Sequence, residues 1–256
     1  MFELPLSKDN AEWYYQYTMN QEIDMTNDPI GNFAMSDLNA YIKAALVGLA
    51  QEYQPLLDRV IDWLQFAISR NEGMGPNLDE YISFKQKKLH ANLALAYWIR
   101  DRENCFSLWH KAIELYQIDL LDNPDSDTDP LYDNSLYNED IILYCLHAKS
   151  YKTGIEIYER AYGKQTPNIK RTKNEKTIEY AYCLHNEQGV YDKEELFLAA
   201  KKMLIHNIND GWLMSGKSLH VLSWLKILYW NERENTEPLQ IWLDFFKNNF
   251  NIEEQA

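Results

Sequence analysis

The sequence predicts an all-α fold of stacked helical hairpins, a tetratricopeptide-like or HEAT-like α-α superhelix with about ten to eleven helices. Three observations predict it. The 256 residues include only nine glycines and eight prolines, which argues against a fold of short strands and tight turns. Apolar residues recur with a helical period, and no segment shows the alternation of a strand. Helix-turn-helix segments of one plan recur along the chain.

Each helix is predicted from its apolar period and from the breakers beside it. Glu12 to Met19 is predicted as a short aromatic helix in an acidic N-terminal segment, residues 1–35. Ser36 is predicted to cap the first long helix, because its hydroxyl can accept from a free backbone N–H. The long helices, of which the one capped by Ser36 is the first, are predicted at about 37–52, 55–71, 77–101, 104–120, 136–149, 152–163, 172–187, 191–207, 214–230 and 237–249. We expect residues 36–256 to form a single helical domain, with the 214–230 helix buried on most sides.

Three segments repeat the plan of helix, brief turn and helix, and each ends in a small residue. They are Leu93–Ala112, Ile142–Ala161 and Ile178–Ala200. A small residue late in the second helix suits the close approach of neighbouring helices in a stack. The tetrapeptide Tyr-Cys-Leu-His also occurs twice, at 144–147 and 182–185.

The formal net charge of −14 limits the possible partners. Phosphates repel such a surface, so nucleic acid and anionic membranes are disfavoured and a basic protein is favoured. Three cysteines, far apart and odd in number, indicate a reducing compartment. The first residues lack the features of a signal peptide, and the longest apolar run, 44–50, is too short to cross a bilayer. We expect a cytoplasmic protein.

One pattern suggests calcium, and its spacing argues against it. Asp125, Asp127 and Asp129 alternate as the first ligands of an EF-hand loop do. In that register Pro130 stands where glycine is needed, and Leu136 stands where a bidentate glutamate is needed. The stretch is therefore predicted to be a solvated loop between helices.

A second pattern suggests zinc, because each Tyr-Cys-Leu-His segment carries a cysteine and a histidine two residues apart. Such positions on a helix point about 200° apart, so one ion cannot easily take both. We expect Cys145 and Cys183 to pack as small apolar groups, with His147 and His185 nearer the rim. No metal site and no cofactor is predicted.

No catalytic motif in the sequence supports an enzymatic function. The chain lacks G-x-S-x-G, a Cys-His signature and a glycine-rich phosphate loop. The six histidines are scattered, and paired acids on helices are typical of solvated faces. We therefore expect a protein that is not an enzyme.

Charge is polarised along the chain. Residues 112–148 hold nine acids and no lysine or arginine, whereas residues 149–176 hold eight basic residues and three acids. We name residues 119–140 the acid-rich run. Its carboxylates can draw in a basic partner while its tyrosines supply desolvated contact. The partner-binding residues predicted on this basis are Asp122, Asp125, Asp127, Asp129, Tyr132, Asp133, Tyr137, Glu139 and Asp140. In the alternative, the tyrosines pack on the protein's own helices and the acids only keep the loop solvated.

The basic stretch 164–176 has no interleaved aromatic ring. That absence favours a lysine-rich loop leading into a helix over a nucleic-acid site. The stretch can also pair with the acid-rich run in the same molecule.

An acidic, all-helical chain with the hairpin plan of the three repeated segments resembles the immunity proteins of bacterial polymorphic-toxin and contact-dependent inhibition systems. The resemblance covers about residues 36–250. It implies that the protein binds a cognate toxin domain in its own cell and blocks it. In the electrostatic form of this hypothesis, the acid-rich run enters a basic cleft in place of phosphates.

The alternative function is a tetratricopeptide-like adaptor or regulator that grips a peptide or protein partner in a concave groove. Its contact residues are expected on the inner helices, around Tyr97, Tyr144 and Tyr182.

Overall fold

The computed structural model describes residues 8–20, 24–46, 52–75, 80–100, 105–122, 135–212, 218–225 and 227–228. Over these residues the chain forms ten α-helices, one 3₁₀ turn at Met25–Asn27, and no strand. The helices are α1 (Lys8–Met19), α2 (Asn32–Leu46), α3 (Gln54–Met74), α4 (Glu80–Arg100), α5 (Cys105–Asp122), α6 (Ser135–His147), α7 (Tyr151–Tyr162), α8 (Glu175–Gln188), α9 (Lys193–Asn209) and α10 (Ser218–Leu225). The all-α class predicted from the sequence is confirmed.

The start of α2 differs from the prediction. Ser36, the predicted cap, lies inside the helix, and α2 begins at Asn32. The carboxylate of Asp28 accepts hydrogen bonds from the backbone N–H groups of Asn32 and Phe33, both at 2.8 Å. An acid in the preceding loop therefore caps the helix before the position predicted for its start. The helix predicted at 237–249 lies outside the described residues.

Consecutive helices pack side by side, and end-to-start contacts show that α3 with α4 and α5 with α6 run antiparallel. Arg100 at the end of α4 pairs with Asp58 near the start of α3, with 2.7 Å between nitrogen and oxygen. Trp109 near the start of α5 packs on His147 at the end of α6, with 4.8 Å between ring centroids. The pairs α4 with α5, α6 with α7 and α8 with α9 form the hairpins of the three repeated segments.

The short helix α10 connects the two ends of the stack, since it packs on α9 and also on α2. Residues 221–225 are all buried, which confirms that this helix is covered on most sides. Glu175, at the start of α8, accepts hydrogen bonds from the indole N–H of Trp224 at 2.8 Å and from Nδ1 of His220 at 3.1 Å. These two bonds fix α10 to α8.

Candidate partner-binding surface

The acid-rich run joins two antiparallel neighbours, α5 and α6. Asp122 is the last residue of α5, and Tyr137, Glu139 and Asp140 belong to α6, but their side chains are not among those that the structure describes. The remaining predicted contacts lie outside the described residues: Asp125, Asp127, Asp129, Tyr132 and Asp133. Their assignment to partner binding therefore stays a prediction.

Carboxylates and aromatic rings also meet on the outer side of α1. We define the α1 face as Asp9, Glu12, Trp13, Gln16 and Tyr17, all of them exposed. Helical period places them on one side of α1. Trp13 and Tyr17 are 50% and 53% exposed. Their rings stack with centroids 5.4 Å apart and planes 8° apart, which gives the face a flat aromatic surface.

The inner side of α1 is fixed to the body of the protein. Tyr15 packs edge-on against Tyr53 with ring centroids 4.2 Å apart. Arg59 of α3 donates to the backbone oxygen of Thr18 at 3.1 Å, and to Oδ2 of Asp37 on α2 at 2.7 and 3.0 Å. One guanidinium thus ties α1, α2 and α3 together, so the α1 face is presented on an anchored helix.

The charge on the α1 face is negative. Among the lysines and arginines whose side chains the structure describes, none forms an ion pair with Asp9 or Glu12. The carboxylate field reaches the packed side of the helix as well. Burial raises the pKa of Tyr53 to about 12, and the charges of Glu12 and Glu52 add to that rise. A cation brought to this face meets an attractive potential.

The α1 face is the feature that the sequence analysis missed. The sequence predicts an aromatic helix from Glu12, whereas α1 begins at Lys8 and so includes Asp9. The available signal is the spacing of Asp9, Trp13 and Tyr17, each four residues from the next, which places an acid and two rings on one side. Which side faces outward depends on how α1 packs against α2, and that packing is not encoded in the period of α1 alone.

The tyrosines expected to line a concave groove are mostly buried by the chain itself. Tyr144 packs on Trp109, with ring centroids 5.5 Å apart. Tyr182 packs edge-on against Trp224 of α10, at 5.8 Å. Tyr97 is half-buried, and its hydroxyl accepts from the side-chain amide of Gln65. A partner could reach Tyr182 only after α10 had moved.

The two Cys-x-His pairs serve packing. Cys145 and Cys183 are fully buried, and burial raises the pKa of both thiols, so neither offers a reactive thiolate near neutral pH. His185 is half-exposed, with its Nδ1 2.7 Å from the backbone oxygen of Tyr191. The expectation that His147 lies near the rim is wrong. This side chain is buried, because the antiparallel packing of α5 and α6 lays its ring on Trp109.

The basic stretch forms a loop laid on the body of the protein, residues 163–174, and leads into α8. Pro167 is buried, and its backbone oxygen accepts from the hydroxyl of Tyr191 at 3.0 Å. Lys170 pairs with Glu195 of α9 at 2.8 Å. This ion pair joins the loop to α9, and a pairing of the loop with the acid-rich run stays a prediction.

Within the described part of the chain, no three His, Cys, Asp or Glu side chains are placed to hold a metal ion. None of the helices described there has the length and apolar character needed to span a membrane. No protein-family model, curated protein or solved structure matches this chain. The fold and the surface therefore define only a broad class, an all-helical protein with an acidic surface and an exposed aromatic pair.

Proposed function

We propose that this protein is a non-enzymatic protein-binding module, an immunity protein that binds and neutralises a cognate bacterial toxin domain through an acidic surface. The observation that carries the proposal is the α1 face, where the stacked rings of Trp13 and Tyr17 stand half-exposed beside two carboxylates on an anchored helix. Tryptophan and tyrosine are enriched among residues that dominate binding at protein interfaces, and carboxylates speed association with a basic partner.

The acid-rich run supplies the second part of the mechanism. Toxin domains that cut nucleic acids need a basic cleft for phosphates, and a dense row of aspartates can occupy such a cleft. The net charge of −14 steers the approach of a basic domain over several ångströms beyond contact. Aromatic contacts then slow dissociation. Such an inhibitor acts in the cytoplasm, where the toxin would otherwise reach its substrate.

The test uses the toxin domain encoded beside the gene for this protein. We expect the wild-type protein to co-purify with that domain and to inhibit it at equimolar ratio. A variant with five of the seven aspartates of the run changed to asparagine should bind more weakly and with a smaller dependence on salt. The aspartates are Asp122, Asp125, Asp127, Asp129 and Asp133.

The control removes the same number of charges elsewhere on the surface. It changes five exposed glutamates to glutamine: Glu52, Glu72, Glu156, Glu187 and Glu194. Equal loss of affinity in the two variants would assign the effect to net charge and not to the run. Failure of the wild-type protein to inhibit the neighbouring toxin would refute the proposed function, and co-purification with a kinase or transcription factor would support the adaptor instead.

A further inference from the structure

The protein holds one of its own arginines between an aromatic ring and a carboxylate. The Cζ atom of Arg59 lies 5.0 Å from the ring centroid of Trp63. Its Nε and Nη2 atoms both donate to Oδ2 of Asp37, at 3.0 and 2.7 Å. This arrangement suits a guanidinium, because the planar group stacks on a ring while its edge N–H groups bind oxygen.

The α1 face offers the same two components on the outside of the molecule. Trp13 and Tyr17 present ring surface to solvent, and Glu12 precedes Trp13 directly while Asp9 lies one turn earlier. Among the cations whose side chains the structure describes, none pairs with either carboxylate. The face therefore has the chemistry that holds Arg59, and no described arginine pairs with its carboxylates.

We propose that the α1 face is a docking surface for an arginine-bearing segment of a basic protein partner. The guanidinium stacks on the Trp13–Tyr17 ring surface and donates hydrogen bonds to Glu12 or Asp9. This inference rests on the proposed function, because it names the chemistry of the contact that the toxin domain makes. The charge complementarity is that of a face with two exposed carboxylates and a cationic side chain.

Arginine fits this face better than lysine for two physical reasons. The guanidinium is planar and weakly hydrated, so it stacks on a ring at a small desolvation cost, whereas an ammonium is compact and strongly hydrated. The guanidinium also donates through several N–H groups in a fixed plane, so it can bind a carboxylate while it remains stacked. A contact that depended on charge alone would take either residue equally.

The experiment compares two synthetic peptides of equal charge, one with four arginines separated by glycines and one with four lysines separated by glycines. We expect the arginine peptide to bind the full-length protein about threefold to fivefold more tightly than the lysine peptide, as an exposed cation–π contact allows. The W13L/Y17L variant should bind both peptides equally. A matched control, Phe66→Leu, removes a half-exposed ring on α3 and should keep the preference.

A second measurement locates the contact. The indole N–H resonance of Trp13, assigned by its loss in W13L, should shift when the arginine peptide is added. The inference is overturned if the wild-type protein binds both peptides equally, if the preference survives in W13L/Y17L, or if that resonance does not move. The peptides require no toxin, so an arginine preference without toxin inhibition refutes the proposed function alone. Toxin inhibition without an arginine preference refutes this inference alone.

Discussion

Gly154 on α7 lies directly against the sulfur of Cys183 on α8, so that a Cβ atom added to this glycine would come within 2.7 Å of that Sγ atom. On the other side, the added atom would lie 3.2 Å from Cβ of Cys145 on α6. The two cysteines belong to the two Tyr-Cys-Leu-His segments. The repeated tetrapeptide thus marks a point where α6, α7 and α8 approach one another closely.

We expect Gly154→Ala to lower the free energy of unfolding by about 1–3 kcal/mol, because the methyl group overpacks a site filled by two buried side chains. The measurement is urea denaturation followed by circular dichroism. The matched control is Gly73→Ala in α3, where an added Cβ meets nothing within 4 Å. That change should raise stability by about 0.5–1 kcal/mol, since alanine favours the helix. A stabilising effect at both positions would show that α6, α7 and α8 can move apart freely.

The helices could be predicted because their information is local. A stripe such as Leu56, Val60 and Trp63 recurs at helical spacing, and all three residues are buried in α3. The role of Gly154 could not be predicted, since it depends on which helices become neighbours. The start of α2 was misplaced for a related reason. Ser36 is a good capping residue by type, but Asp28 accepts from the backbone N–H groups of Asn32 and Phe33, so the helix begins before Ser36.

The α1 face could not be predicted for the same reason, since it depends on which helices pack together. The sequence contains Asp9, Trp13 and Tyr17 at helical spacing, but it also places Tyr14 and Tyr15 in the same helix. Only the packing of α1 separates them, with Tyr15 against Tyr53 on the inside and Trp13 stacked on Tyr17 outside. Composition predicted an acidic protein, and the fold determined where the acids stand next to exposed rings.

The shifted pKa of Asp37 predicts how the free energy of unfolding depends on pH. Burial raises the pKa of this carboxyl to about 6, although the guanidinium of Arg59 favours the charged form. The pKa is thus higher in the folded state than in the unfolded state, near 3.8. The stability linked to this proton is fully present below about pH 4 and is lost as the pH rises through about 6.

The test compares the wild-type protein with Asp37→Asn, which cannot titrate, in urea unfolding between about pH 4 and pH 7. Relative to the variant, the wild-type protein should lose about 2 kcal/mol of unfolding free energy across this range. Asp24→Asn is a control that should show no such loss over this range, because hydrogen bonds from Thr26 lower the pKa of Asp24 and so place its titration below the range. A constant difference between the wild-type protein and Asp37→Asn would show that Asp37 titrates normally.

The attachment of α10 to α8 gives a third prediction. Glu175 accepts the indole N–H of the fully buried Trp224, so Trp224→Phe removes a donor to a largely buried carboxylate. Because the smaller ring also changes packing, we propose a double-mutant cycle with Glu175→Ala, which removes the acceptor. The coupling energy should be about 1–2 kcal/mol, as expected for a hydrogen bond to a charged group.

Hydrogen exchange gives an independent readout of the same contact. Amides of α10 should exchange faster in Trp224→Phe than in the wild-type protein, while those of α3 stay unchanged. Trp13→Phe, at an exposed position, serves as the control and should leave both helices unaffected. Energies that add to within about 0.3 kcal/mol would mean that the hydrogen bond does not hold α10 in place.

Lys149 occupies the position after α6 where glycine is favoured, with φ of 57°. The backbone N–H of Ser150 donates to the oxygen of Cys145 at 2.8 Å, and that of Lys149 donates to the oxygen of Leu146 at 3.2 Å. These bonds close the end of the helix around Lys149, whose backbone is in the left-handed conformation. That conformation is strained for any residue with a Cβ atom.

We expect Lys149→Gly to raise the unfolding free energy by about 1 kcal/mol in thermal or urea denaturation. Lys152→Gly, within α7, should lower it by a similar amount, about 1 kcal/mol. A loss of stability in Lys149→Gly would mean that the contact of the ammonium with the ring of Phe106, 5.9 Å away, outweighs the backbone strain.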